Sequence, residues 1–273
     1  MKEVKACVLY GFGINCDYET KFALGKAGAN AERVHITDLI EGRRSLDEFH
    51  ILAIPGGFSF GDDISAGKVL ANRIAYKLGE QTRAFVGSGK LLIGICNGFQ
   101  VLVKMGILPC LSGDFAWQPY TQLVTLTYND SGRFEDRWVN LLVNQNTPCV
   151  FTKSVERLQL PVRHGEGKFL TLDNVVLQRL REQGQIVLQY ADKNFRKPTM
   201  TYPYNPNGSI DAIAGICDPS GRVFGLMPHP EAYWSPQNHP CWTRQKVEGN
   251  LPEEGLGLKI FRNAVEYVRG DLL

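Results

Sequence analysis

The sharpest chemical signal in the 273-residue chain is Leu91-Leu92-Ile93-Gly94-Ile95-Cys96-Asn97-Gly98-Phe99-Gln100. An apolar run that reads as a buried strand passes straight into a helix through Gly-x-Cys-x-Gly, the thiol counterpart of the Gly-x-Ser-x-Gly nucleophile elbow. So tight a turn crowds the backbone. Small residues at 94 and 98 relieve contacts on both sides of Cys96 and leave its sulfur projecting at the strand's end. The free N–H groups of the helix start favour a thiolate there. Most free cysteines are small core residues, and it is the elbow around Cys96 that makes it the candidate nucleophile.

A thiol nucleophile needs a base, and the base needs an orienting partner. Gly225-Leu226-Met227-Pro228-His229-Pro230-Glu231 offers both directly after a predicted strand. Two prolines are expected to keep the backbone extended, so that His229 and Glu231, two residues apart, project on one side. The carboxylate would then fix the imidazole tautomer while the other ring nitrogen faces sulfur. A third segment, Ile51-Leu52-Ala53-Ile54-Pro55-Gly56-Gly57, ends a strand in turn-forming residues. There the N–H of Gly57, with that of Asn97, could hold an oxyanion, although glycines also simply make tight turns.

Other combinations carry less. Gly11-Phe12-Gly13-Ile14-Asn15-Cys16 begins like a dinucleotide fingerprint but has Cys16 where the third glycine belongs. Cys16 competes as nucleophile only from a loop. His229-x-Glu231 followed by Pro240-Cys241 imitates a zinc deaminase signature, yet position 244, where the second cysteine belongs, is Arg. A zinc site from His229, Glu231, His239 and Cys241 would have to converge against two prolines, so no metal is expected. Asp62-Asp63 reads as the approach to a helix rather than as metal carboxylates.

The elements that must position these groups alternate. Strand 4–10, a helix from about Tyr18 to Ala27, strand His50–Ile54, helix Ala66–Val86, strand Leu91–Ile95 and helix Asn97–Met105 predict an α/β fold with a mostly parallel sheet covered on both faces. From Leu123 to Ile216 shorter alternating runs separated by turn clusters predict an additional antiparallel segment. Strand Val223–Met227 and an amphipathic helix Leu256–Val268 close the chain. No linker divides it, so 1–273 is expected to be one domain.

Lys plus Arg against Asp plus Glu gives 30 − 28 = +2, with the basic residues scattered, a poor footprint for nucleic acid or an anionic membrane surface. No apolar run is long enough to span a bilayer, and the start of the chain lacks the pattern of a signal peptide. Seven dispersed cysteines are an odd number at low density, which predicts reduced thiols and a cytoplasmic protein.

The elbow cysteine, Pro-Gly-Gly loop and His-Pro-Glu, in that order on a β/α chain, resemble the class I, triad-type glutamine amidotransferases. Closer still, Gly13-Ile14-Asn15-Cys16-Asp17, Pro55 to Asp62, Cys96-Asn97-Gly98-Phe99-Gln100, Ser131-Gly132-Arg133-Phe134-Glu135, His164-Gly165-Glu166-Gly167 and Met227 to Glu231 are similar to the glutaminase subunits of phosphoribosylformylglycinamidine synthase. The resemblance spans nearly the whole chain. It implies a flavodoxin-like three-layer sandwich and a Cys96–His229–Glu231 triad acting on L-glutamine. Gly57 and Asn97 would be the oxyanion donors, with Gly56, Gln100, Gly165 and Glu166 against the substrate and His164 structural. It further implies no cofactor in this chain, an ATP- and magnesium-dependent synthetase partner that receives the ammonia, and a small third subunit. Residues 114–122, 193–208 and the stretch after Glu231 look expanded relative to commoner forms. Two other classes remain open on the residues alone: a cysteine hydrolase of the same architecture, and a glutamine-binding module without turnover.

Overall fold

The computed structural model describes residues 2–111 and 121–273; most of the 114–122 expansion lies outside them. The chain runs β1 (Lys5–Tyr10), α1 (Asp17–Ala27), β2 (Asn30–His35), α2 (Ile36–Ile40), β3 (Ile51–Ile54), α3 (Lys68–Gly87), β4 (Leu91–Ile95) and α4 (Asn97–Met105). It continues β5 (Val124–Thr127), β6 (Glu135–Val143), β7 (Arg157–His164), β8 (Lys168–Thr171), α5 (Asn174–Glu182), β9 (Ile186–Tyr190), β10 (Ile213–Cys217), β11 (Val223–Leu226), α6 (Trp242–Val247) and α7 (Leu258–Tyr267).

Nine strands form one sheet in the order β2-β1-β3-β4-β11-β10-β9-β6-β7, and β5 pairs with β8 separately. The first five are mutually parallel. Each later pairing is antiparallel, so β10 and β6 run against the rest. The result is a mostly parallel α/β sheet with an antiparallel extension, as expected. Every residue of β3 and β4 is buried, the mark of strands covered on both faces. Each fully buried Leu or Ile among them contributes about 1.5–3 kcal/mol. Helix α1 stops at Gly28, whose φ of 100° is the left-handed turn that ends helices.

Four elements lie where none was expected, the short helices α2 and α6 among them. Strand β2 extends the sheet at one edge, and α5 interrupts the antiparallel segment, its N-terminus capped by Asp173, whose carboxylate accepts the Val176 N–H at 2.8 Å.

The sheet order places the chemistry. From β1 the chain moves to one side for β2, then returns to the other side for β3. The loops at the carboxyl ends of β1 and β3 therefore part and leave a crevice. Around it gather residues 11–16 after β1, 55–58 after β3, the elbow after β4 and the His-Pro-Glu segment after β11.

Candidate active site

Cys96 stands between β4 and α4 with φ 51° and ψ −106°, a strained conformation for a residue bearing a side chain. Neighbouring glycines make the turn possible. A Cβ at Gly94 would lie 2.6 Å from Gly98 O, and one at Gly98 would lie 1.8 Å from Ile54 O. Sheet and helix thus touch backbone to backbone, and the thiol is held at the helix's first turn. The Cys96 N–H donates to Leu226 O at 2.8 Å, tying the elbow to β11. Cys96 is 5 % exposed and its Sγ donates to Arg163 O at 3.5 Å.

His229 is 2 % and Glu231 1 % exposed, and Nδ1 meets Glu231 Oε1 at 2.6 Å. The extended backbone expected between them is not found: Pro230–Ala232 forms a 3-10 turn started by the proline. Proline suits the first position of such a turn because it has no N–H to leave unpaired. The pairing survives because the turn itself brings the carboxylate under the ring. The N–H of His229 donates to Pro161 O at 2.8 Å, so β7, at the far end of the sheet, closes one side of the site.

Gly56 is the wedge on which these groups converge. A Cβ there would be 2.7 Å from His229 Cε1, 3.3 Å from Cys16 Sγ and 3.4 Å from Cys96 Cβ. His229 Nε2 faces both thiols and makes no hydrogen bond of ordinary length. Burial works against a charged imidazole, but the Glu231 carboxylate, reinforced by Cys96 and Cys16, overturns it and holds the His229 pKa well above its usual value. Burial pushes the Cys16 thiol up, partly offset by His229.

Gly57, Cys96, Gln100, Arg163, His164, Gly165 and Glu166 are among the residues lining a cleft of about 280 Å³. The first amides of a helix have no intrahelical partner, so the Asn97 N–H is available at α4's start. Gly57 adopts φ 151°, where a Cβ would strike Gly13 O and Asn15 N at 2.7 Å. The Gln100 amide accepts from Asn97 Nδ2 at 2.9 Å and donates to Glu166 O, while Glu166 Oε2 accepts the Ala66 N–H at 3.2 Å. Gly165 O accepts from Asn129 N at 2.9 Å.

His164 belongs to the cleft wall. Its Nδ1 pairs with Asn129 Oδ1 at 3.1 Å, and burial, helped by the nearby positive His229, pushes its pKa down to about 3. It is therefore neutral across the physiological range.

Two residues that sequence reasoning set aside lie at the site. Cys16 was ranked as a loop thiol, yet it comes up against the His229 ring because the loop after β1 folds over Gly56, whose carbonyl accepts the Cys16 N–H at 3.1 Å. Asp62 does precede α3, and its carboxylate also accepts from Asn97 Nδ2 at 3.2 Å. Burial and the neighbouring Glu166 carboxylate raise its pKa to about 6. The His229, Glu231, His239, Cys241 set does not assemble: His239 Nε2 is paired with Gln159 Oε1 at 2.9 Å and its Nδ1 accepts the Cys241 N–H at 3.2 Å. Among the described residues no helix is long and apolar enough to cross a membrane.

Comparison with known proteins gives the family. Residues 3–268 match the CobB/CobQ-like glutamine amidotransferase domain. A phosphoribosylformylglycinamidine synthase subunit PurQ from Dehalococcoides mccartyi is 50 % identical over 98 % of this chain and 99 % of its own. One from Methanococcus maripaludis is 42 % identical over 96 % and 97 %. Among solved structures, the PurLQS structure from Thermotoga maritima aligns over 98 % of this chain and 100 % of the matched one, with 31 % identity and a TM-score of 0.67. The chain belongs to the CobB/CobQ-like glutamine amidotransferases and, within them, to the PurQ subunits of phosphoribosylformylglycinamidine synthase.

Proposed function

We propose that this chain hydrolyses L-glutamine through a γ-glutamyl thioester on Cys96. In this reading it passes the ammonia to a synthetase partner that converts formylglycinamide ribonucleotide to its amidine in purine biosynthesis. The observation that carries the reading is the convergence of the elbow thiol and the Glu231-oriented His229 on the two sides of Gly56.

The Cys96 thiol turns from Arg163 O toward His229 Nε2 and gives up its proton as sulfur attacks the substrate carboxamide carbon. The developing oxyanion is met by the N–H groups of Gly57 and Asn97. His229, made cationic by the thiol proton and stabilised in that form by Glu231, then delivers the proton to the departing nitrogen, and ammonia leaves. Water, deprotonated by the same imidazole, adds to the thioester; sulfur leaves and glutamate is released. Gln100, Gly165, Glu166 and the Gly56 turn border the bound amino acid.

Free ammonia in neutral water is mostly protonated and no longer nucleophilic, so the product has to be handed on without mixing with solvent. An ATP- and magnesium-using synthetase subunit and a small third subunit fit that need, and the PurLQS structure is that of an assembly of this kind. The continuous nine-stranded sheet favours the whole chain acting as one amidotransferase domain.

The test is labelling with an electrophilic glutamine analogue, followed by peptide mass mapping, on the chain assembled with its synthetase. A single adduct on Cys96, lost in Cys96→Ala, is expected. Adducts confined to Cys16 or Cys241 would overturn the assignment.

A further inference from the structure

Cys16 is given no role in the proposed amide chemistry, yet it is drawn against the dyad. Its sulfur, a ring nitrogen of His229 and a Glu231 carboxylate oxygen all lie within 4.8 Å of one another. Two hydrogen bonds fix its loop there, from Asn15 N and Cys16 N to Gly56 O, at 3.3 and 3.1 Å. His229 Nε2 and Glu231 Oε2 are both buried with no hydrogen-bond partner. Buried nitrogen and oxygen atoms almost always find partners, and one left without costs about 1–3 kcal/mol. An ion that displaces the Nε2 proton would give this buried nitrogen the partner it lacks.

We propose that it is a binding site for a thiophilic divalent cation of the zinc and cadmium class, held by Cys16 Sγ, His229 Nε2 and Cys96 Sγ. The ring is already set as a metal ligand, because a coordinating histidine characteristically donates its other N–H to a carboxylate, as Nδ1 does to Glu231 Oε1 at 2.6 Å. Cys16 Sγ is in place, 3.3 Å from the point a Cβ on Gly56 would occupy; Cys96, whose Cβ lies 3.4 Å from the same point, has its Sγ resting on Arg163 O and would turn to complete the set. Two thiolates and an imidazole select soft and borderline ions over magnesium or calcium. As each metal–sulfur bond forms the thiol proton passes to solvent, the Nε2 proton of the imidazolium leaves likewise as nitrogen binds the ion, and neither metal nor sulfur changes oxidation state. Loading removes the nitrogen and the sulfur that the amide chemistry uses, so the loaded chain is inactive. That corollary rests on the proposed function; the binding itself does not.

The experiment titrates the full chain with Cd²⁺ alone, following sulfur-to-metal charge-transfer absorption and proton release by calorimetry. The wild-type chain and Cys241→Ser, which lacks the exposed surface thiol, are expected to bind one ion tightly with release of protons. Cys16→Ser and His229→Ala are each expected to bind at least ten-fold more weakly, with melting curves confirming that both are folded. Wild-type affinity retained in both variants, loss of binding in Cys241→Ser, or no charge-transfer signal in the wild type would overturn the site. Cys96 labelling by the glutamine analogue is read separately on the metal-free chain, so failure here leaves that result standing.

Discussion

Gly98→Ala is the smallest change that should break the elbow, and the damage follows from two distances. A Cβ at 98 would stand 1.8 Å from Ile54 O and 2.7 Å from Ile54 C, whereas real Cβ atoms essentially never approach closer than 3.0 Å. The gap to be opened is therefore 3.0 − 1.8 = 1.2 Å at minimum. Neither neighbour is a flexible side chain. The end of β3 is hydrogen-bonded between β1 and β4, and the start of α4 follows directly on the elbow. The first turn of α4 must move away from β3, taking Cys96 and the Asn97 amide with it. Misplacement of reacting groups by about 1 Å costs about 10²-fold in rate, and backbone overpacking costs about 1–3 kcal/mol in stability. Glutamate release by the synthetase-bound chain measures the first and chemical denaturation the second. Gly25→Ala is the control: it is an exposed position in α1 with nothing within 4 Å of a new Cβ, and a helical Gly→Ala change there should stabilise by about 0.5–1 kcal/mol. Gly98→Ala with wild-type turnover and stability would refute the reasoning about how the elbow is built.

Three further outcomes follow from the charges in and around the cleft. Glu231→Gln removes the charge that holds the His229 pKa up and leaves burial to push it down; the acid form is then lost at lower pH. The alkaline limb of the kcat profile should shift toward acid and kcat fall by about 10²–10⁴-fold, whereas an unmoved limb would show that Glu231 does not set the ring's charge. Asp62 has a folded pKa of about 6, above its unfolded value, so the folded state holds this proton more tightly and stability falls as pH rises through that window. Asp62→Asn should therefore be more stable than wild type at pH 7.5, by about 1 kcal/mol after solvent screening. The gain should vanish near pH 4, and a less stable variant at pH 7.5 contradicts the sign. His164, with its pKa pushed down to about 3, should show no titration of its ring proton resonances between pH 5 and 8; a midpoint near 6.5 would contradict its buried, neutral state.

Most of what positions the site was visible in local pattern. Strands β3 and β4 are uninterrupted apolar runs, as doubly covered strands must be, and the elbow is written in the alternate positions Gly94, Cys96 and Gly98. Strand β2 was missed because Asn30-Ala31-Glu32-Arg33-Val34-His35 buries only Ala31 and Val34; at a sheet edge its polar residues stay partly in solvent, and no run of hydrophobics marks it. Helix α5 did carry a signal, Asp173 as cap and Val176, Leu177 and Leu180 on one face, but it was submerged in a stretch dominated by turn residues. The turn between His229 and Glu231 was read from proline's preference for extended backbone, while its equal fitness for the first position of a tight turn prevailed. Cys16 could not be found locally at all. Its place depends on the Gly56 carbonyl, forty residues away in sequence, catching the loop after β1. Asp62 likewise owes its raised pKa to burial and then to Glu166, both supplied only by the tertiary fold.

The most direct measurement is rapid-quench mass spectrometry of the synthetase-bound chain during a single turnover of L-glutamine. A glutamyl adduct on the peptide that contains Cys96 should rise before glutamate appears and decay as it accumulates, and it should be absent from Cys96→Ala. Glutamate released at the full rate with no adduct, or an adduct carried by Cys16, would contradict a thioester formed at the elbow.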